Sequence, residues 1–247
     1  MTPRSLLAPL LAVALAGLVA GGPAAASNIS TAIADSGRPA EDTARDAARK
    51  PESVLDFAKV HEGDAVLEII PGGGYFTRLL SRAVGPRGIV YAASPPVQNM
   101  GAKAEAIAAD PGYANVKAVP LNGATLGPDT PKVDLIFTAQ NYHDLHLTRA
   151  HQDVPVFDKL LFDKLKTRGR LVIIDHIAAD GAPVTETADK LHRIDPAAVL
   201  KEVEAAGFVF DGQSDVLRNP NDSHMVVVFD PAIRGKTDQF LFRFRKP

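Results

Sequence analysis

Residues 65–80 read AVLEIIPGGGYFTRLL, and this stretch decides the fold. Positions 66–70 are apolar except for Glu68. An apolar run of that length, closed by a turn signal, reads as a strand buried on both faces of a parallel sheet. Pro71, Gly72, Gly73 and Gly74 then stop it. Successive glycines permit positive φ and let the backbone approach a ligand with no Cβ in the way. From Tyr75 the spacing turns helical, with Phe76, Leu79, Leu80 and Val84 recurring every three or four residues. Strand, glycine turn and helix make a cradle in which bare amides and a helix N-terminus meet a polar ligand.

The same pattern continues outward. Strands are predicted at 88–93, 116–121, 133–139 and 171–174, with helices from 51 to near 61 and at 101–109, 154–165 and 199–206. Residues 166–170 read as a turn, 178–187 as a loop long enough to form a lid, and 226–229 as strand material beside Phe208 and Phe210. The final segment, QFLFRFR at 239–245, alternates as an antiparallel strand does. Asp195 followed by Pro196 is a helix start, and Gly207 the matching stop. Strands alternating with helices until a closing pair of strands predict a doubly wound, Rossmann-like α/β sheet with helices on both faces.

Composition narrows the function. The chain has 247 residues, 46% apolar, enough for one α/β domain and a leader. A formal net charge of -2 gives no electrostatic case for nucleic acid or an anionic membrane as partner. With no cysteine, disulfides, thiolate catalysis, iron–sulfur clusters and Cys-type zinc sites are excluded. Residues 1–26 read as a signal peptide: Arg4, an uncharged apolar run at 6–20, and Ala24-Ala25-Ala26 before a mature start near Ser27. The run is shorter than the ~20 residues a spanning helix needs, so export to the periplasm or medium without stable membrane insertion is expected. Residues 27–38 read as a linker and 39–247 as a single domain. The charges at Glu41, Asp42, Arg45, Asp46, Arg49 and Lys50 read as a solvated helix face.

The 65–80 stretch resembles motif I of the class I S-adenosyl-L-methionine (SAM)-dependent methyltransferases, where an acid ends the first strand and a Gly-x-Gly turn follows. Glu68 occupies the acid position, Gly72 and Gly74 the last two glycine positions, and Ile70 replaces the first. A closer resemblance is to a group of predicted, exported methyltransferases. Its marks are the Pro-Gly-Gly-Gly-Tyr turn (71–75), Asn-Tyr-His-Asp-Leu-His (141–146) and Asp-Pro-Ala-Ile-Arg-Gly-Lys-Thr-Asp (230–238). The resemblance runs from about Arg38 to the end of the chain and implies SAM as cofactor, with a seven-stranded sheet in the order 3-2-1-4-5-7-6. It also implies that Glu68, Pro71, Gly72, Gly73, Gly74 and Tyr75 form the cofactor cradle. Gln140 and Asn141 would close it. The ribose position falls on Ser94, where the family usually has a carboxylate, and the adenine-edge position on Asn122-Gly123, which reads equally as a plain turn.

The segment Gln140 to His146, QNYHDLH, follows the fourth strand at the sheet edge where open α/β sheets bind ligands. Methyl transfer needs an aligned nucleophile and, for a hydroxyl or amine, removal of its proton. Histidine suits that role near neutral pH. The expected assignment is His143 as base, Asp144 as its orienter and Tyr142 as pocket wall, with His146 and His176 nearby. His192 and Arg193 could face the same pocket. Two alternatives stay open. The His-Asp pair could cap a helix, or His143, His146 and Asp144, with His151 or His176, could ligate a metal. The functional expectation is a SAM-dependent methyltransferase acting on a small molecule. A non-catalytic binding protein on the same fold and a histidine-based metal enzyme are the alternatives.

Overall fold

The computed structural model describes residues 28–97 and 99–247. The expected signal peptide lies outside the described residues. The strands are β1 (Ala65–Ile69), β2 (Ile89–Ser94), β3 (Val116–Asn122), β4 (Thr125–Leu126), β5 (Val133–Ala139), β6 (Leu165–His176), β7 (Val209–Ser214) and β8 (Gln239–Arg245). They form one sheet in the order β4-β3-β2-β1-β5-β6-β8-β7. Parallel pairings join β3, β2, β1, β5 and β6. β8 runs antiparallel between β6 and β7. With β4 set aside, this is the expected order. The added strand arises because Gly123 (φ 55°) and Ala124 turn the chain back as a hairpin, pairing Leu121 with Leu126 and Asn122 with Thr125.

The helices are α1 (Asn28–Ile33), α2 (Ala40–Thr43), α3 (Asp46–Arg49), α4 (Pro51–Phe57), α5 (Tyr75–Val84), α6 (Met100–Ala108), α7 (Val154–Lys164), α8 (Val184–Leu191) and α9 (Pro196–Ala205). They lie on both faces because β1 is apolar on both. Val66 points with Val90, Leu135 and Val172 into a core shared with α1, α4, α5 and α6. Leu67 and Ile69 point the other way, with Ile136, Leu171 and Ile173, into a core shared with α7 and α9. Each fully buried leucine or isoleucine here contributes about 1.5–3 kcal/mol. Among the described residues no helix is long and apolar enough to cross a membrane.

Several local expectations are corrected. The segment expected as a linker holds α1, because Ile29 and Ala32, three residues apart, are buried in the core shared with α4 and α5. The expected turn at 166–170 is a bulge inside β6: Val133 pairs with Leu165 but Leu135 with Arg170, and Arg168 takes φ 62°. Part of the expected lid is α8, whose Thr187 and Ala188 are buried. Residues 226–229 form no strand. Val226 instead gives its carbonyl to Arg193 Nε at 2.9 Å, and Val228 N bonds Leu191 O at 3.2 Å.

Candidate active site

The glycine turn sits where β1 ends. Ile70 holds φ 54°, a left-handed conformation that a β-branched side chain rarely takes, at the place where the family motif has its first glycine. A Cβ added at Gly72 (φ 59°) or at Gly73 would meet no atom within 4 Å, so the turn faces open space. Gly74 differs, because a Cβ there would lie 2.0 Å from Ile107 Cδ1. It is a packing glycine that seats α5 against α6. Glu68 is 3% exposed and accepts from Thr77 Oγ1 at 2.6 Å. Burial pushes its carboxyl up to about 7, against the pull of Thr77, Arg49 and Arg78.

A cavity of about 150 Å³ lies over this turn. Its floor is Glu68, Ile70, Pro71, Gly72 and Gly73, and one wall is Ala139, Gln140 and Asn141 at the end of β5. Tyr75, Phe76, Arg45 and Arg49 close the other side. Arg49 stacks over the Tyr75 ring at 4.7 Å and the Phe76 ring at 5.6 Å. It donates to Gln140 Oε1 at 2.9 Å, yet among the described residues it has no carboxylate within 4.0 Å. Burial pulls its guanidinium below the usual value. The face expected to be solvated is therefore folded over the cradle. Arg38 pairs with Asp46 at 2.6 Å, Asp46 accepts from Tyr75 Oη at 2.7 Å, and Arg78 pairs with buried Asp42 at 2.9 Å.

The histidine cluster begins two residues beyond the cavity wall. The turn His143–His146 carries His143, which is 3% exposed. Asp175, fully buried at the end of β6, accepts from the His143 backbone N at 2.7 Å and lies 2.8 Å from His143 Nδ1. Burial opposes the charge on His143, but Asp175 and then Asp144 outweigh it and raise its pKa. Burial alone would raise the Asp175 carboxyl; His143 holds it below its usual range. On the outer side, His143 Nε2 lies 3.1 Å from His192 Nδ1 and 3.3 Å from Asp144 Oδ1. His192 ends α8 in a left-handed conformation (φ 54°), with the Phe229 ring packed edge-on against it at 4.7 Å.

No protein-family model matches the chain. A protein-L-isoaspartate O-methyltransferase of Methanococcus aeolicus is 33% identical over 119 residues, covering 48% of this chain and 49% of that protein. The chain thus spans about half the length of the curated relatives it matches. A SAM-dependent methyltransferase from Aquifex aeolicus superposes with a TM-score of 0.60 over 82% of this chain and 98% of the other, at 22% identity. The fold is that of the class I SAM-dependent methyltransferases. The [4+2]-cyclase SpnF shares it, with a TM-score of 0.58, 17% identity and 81% of each chain covered. A methyltransferase fold therefore leaves the reaction to be argued from the site.

The cradle fits the amino-acid end of the methyltransferase cofactor. Gly72 and Gly73 leave room, Glu68 supplies an acceptor, and Arg49 is a cation lacking a carboxylate partner among the described residues. Ser94 Oγ, at the end of β2, is buried without a hydrogen-bond partner among the described residues, an orphaned group at the expected ribose position. The cavity is below the ~300–1,000 Å³ of small-molecule sites, so with Arg45 and Arg49 resting over the turn it admits only part of the cofactor. Asn122 and Gly123 are exposed in their hairpin and do not line it.

Among the other expected site residues, Tyr142 turns away from His143. Its Oη donates to Asp158 Oδ2 at 2.8 Å and lies 3.2 Å from Glu202 Oε2, beneath α7 and α9. His146 follows it, pairing with Glu202 at 3.1 Å. His176 bonds Thr237 Oγ1 at 2.7 Å through Nδ1, and burial pushes its pKa down to about 4, so it is neutral. Arg193 is locked to Asp222 by bonds of 2.9 and 3.0 Å rather than facing a pocket. His151 is exposed and outside the cluster. The orienting carboxylate of His143 is Asp175, because both its oxygens reach His143 from the next strand, whereas Asp144 meets the outer nitrogen. The arginines over the cradle carried no sequence signal beyond their charge. Asp175 did carry one: an acid closing a buried strand at the same edge as His143.

Proposed function

We propose that the protein is a SAM-dependent methyltransferase whose acceptor is a small molecule. The carrying observation is the open glycine turn with buried Glu68 below it and the carboxylate-free Arg49 above. Arg49 suits the methionine carboxylate, which would supply the anion it lacks. Glu68 suits the ammonium beside it, since a neighbouring cation favours its ionised form. When bound, SAM supplies an electrophilic methyl group. The acceptor side is the cluster of His143, Asp144 and His192, which follows directly in the chain on the cavity-wall residues Gln140 and Asn141. Here the chain offers groups that hold an acceptor oxygen or nitrogen and relieve it of its proton. The cluster is only partly exposed, with side chains 4%, 31% and 15% accessible, which favours a small acceptor over a folded protein.

The test is transfer of labelled methyl from SAM into an extract of the source cells, separated into small-molecule and protein fractions. Label in the small-molecule fraction, lost in His143→Asn, supports the reading. Label confined to protein overturns the small-molecule acceptor, and no label in either fraction overturns the methyltransferase. We also propose, from the leader at 1–26, that the enzyme acts after export. Sequencing the N-terminus of protein recovered from the cell envelope or medium would show Ser27. Recovery only from the cytoplasm with Met1 retained would overturn export.

A further inference from the structure

We propose that His143, His192 and Asp144 form a binding site for a divalent transition metal ion of the zinc class. Three potential ligand atoms converge from two separated parts of the chain. His143 Nε2 to His192 Nδ1 is 3.1 Å, His143 Nε2 to Asp144 Oδ1 is 3.3 Å, and His192 Nδ1 to Asp144 Oδ1 is 3.7 Å. Ligands held 2.0–2.2 Å from an ion at tetrahedral angles lie about 3.4 Å from one another. The observed triangle brackets that spacing. Two imidazoles and one carboxylate are the donor set that zinc and its first-row neighbours take.

A second, independent feature is the support behind the first ligand. Metal-bound histidines give their other ring nitrogen to a carboxylate, which fixes the tautomer and aims the lone pair. Asp175 does this for His143 at 2.8 Å and also holds the His143 backbone N at 2.7 Å. Asp175 is anchored in turn by the His176 backbone N at 2.7 Å. His143 is thus held rigidly with Nε2 outward, and His192 and Asp144 stand on that side. Phe229 covers one edge of His192, while Asp144, about a third exposed, keeps the other side of the cluster open. Three protein ligands and an open position describe a site that can hold an acceptor's oxygen. His146, which the His-x-x-His spacing would have chosen, is engaged with Glu202 instead. A cation here would make His143 a ligand rather than the base, and lower the acidity barrier of a bound hydroxyl directly.

The metal site stands apart from the SAM cradle, and its test needs no cofactor. The purified protein, stripped with chelator, is titrated with Co²⁺ and with Zn²⁺, following the Co²⁺ absorption bands and bound metal after gel filtration. The expected result is one equivalent of metal, with the intense visible bands of four- or five-coordinate Co²⁺. His192→Asn and Asp144→Asn should lose stoichiometric binding; asparagine tolerates the left-handed backbone at 192, so that variant keeps the fold. Asp175→Asn should weaken binding about 10- to 100-fold through His143. His146→Ala should bind as the parent does. Absence of stoichiometric metal in the parent, or equal binding in His192→Asn and His146→Ala, overturns the site. Neither outcome touches the cofactor cradle, although bound metal would change His143 on the acceptor side from base to ligand.

Discussion

Glu68 makes stability depend on pH in a direction opposite to most carboxylates. Its pKa moves from 4.5 to about 7 because burial disfavours the ionised form. Between those values the folded chain holds a proton that the unfolded chain has released. Stability therefore falls as pH rises from about 4.5 to about 7 and is not regained above that. At about 1.4 kcal/mol per pH unit, the full effect is ~3 kcal/mol. Glu68→Gln keeps the shape and an acceptor for Thr77 but cannot ionise. Urea unfolding of both proteins from pH 4 to 8 isolates this group from others titrating in the same range. The two should agree within about 1 kcal/mol at pH 4, and the variant should be more stable by ~2–3 kcal/mol at pH 8. A difference that stays flat across that range, or a parent that gains on the variant as pH rises, would refute the reasoning. SAM at pH 8 should stabilise the parent more than the variant, since a bound ammonium offsets the cost of the buried charge.

Other perturbations separate structural roles from ligand-facing ones. Gly74→Ala places a Cβ against Ile107 Cδ1 at positive φ and should lower stability by ~1–3 kcal/mol in urea unfolding. Adding Ile107→Val, which removes that Cδ1, should recover part of the loss, so the pair is less than additive. Arg193→Ala strands the buried Asp222 carboxylate and should cost about 3 kcal/mol by the same assay; a change under about 1 kcal/mol would contradict the pairing. Asp158, buried with Oδ1 lacking a hydrogen-bond partner among the described residues and a pKa pushed up to about 7, follows the Glu68 sign. Asp158→Asn should therefore gain on the parent in thermal melts as pH rises from 4 to 8.

The centre of the sheet was legible because β1, β2, β5 and the second half of β6 are buried on both faces and so appear as largely apolar runs. Val66 and Leu67 serve opposite cores, and both must be apolar. The hairpin to β4 and the bulge in β6 were not legible, since two residues and a polar kink carry no period. α1 was missed because only Ile29 and Ala32 of its residues are buried, too few for an amphipathic signature. At the site, the glycine turn and the His143 segment could be read from the chain. Their partners could not. Arg49 reaches the site from a helix end whose neighbours Ala48 and Lys50 are solvent-exposed, and His192, although placed near the pocket from sequence, gave no sign that it would meet His143. Asp175 rather than Asp144 orients His143 because pairing between β5 and β6 sets which carboxylate lies behind the ring.

The most direct test of the central claim is titration calorimetry with SAM and with its demethylated product. The parent protein should bind both with micromolar affinity. Gly72→Arg, which fills the open turn, should abolish that binding, and Asp144→Asn should retain it. Failure of the parent to bind at millimolar ligand, or unchanged binding in Gly72→Arg, would contradict the cofactor cradle and with it the methyltransferase.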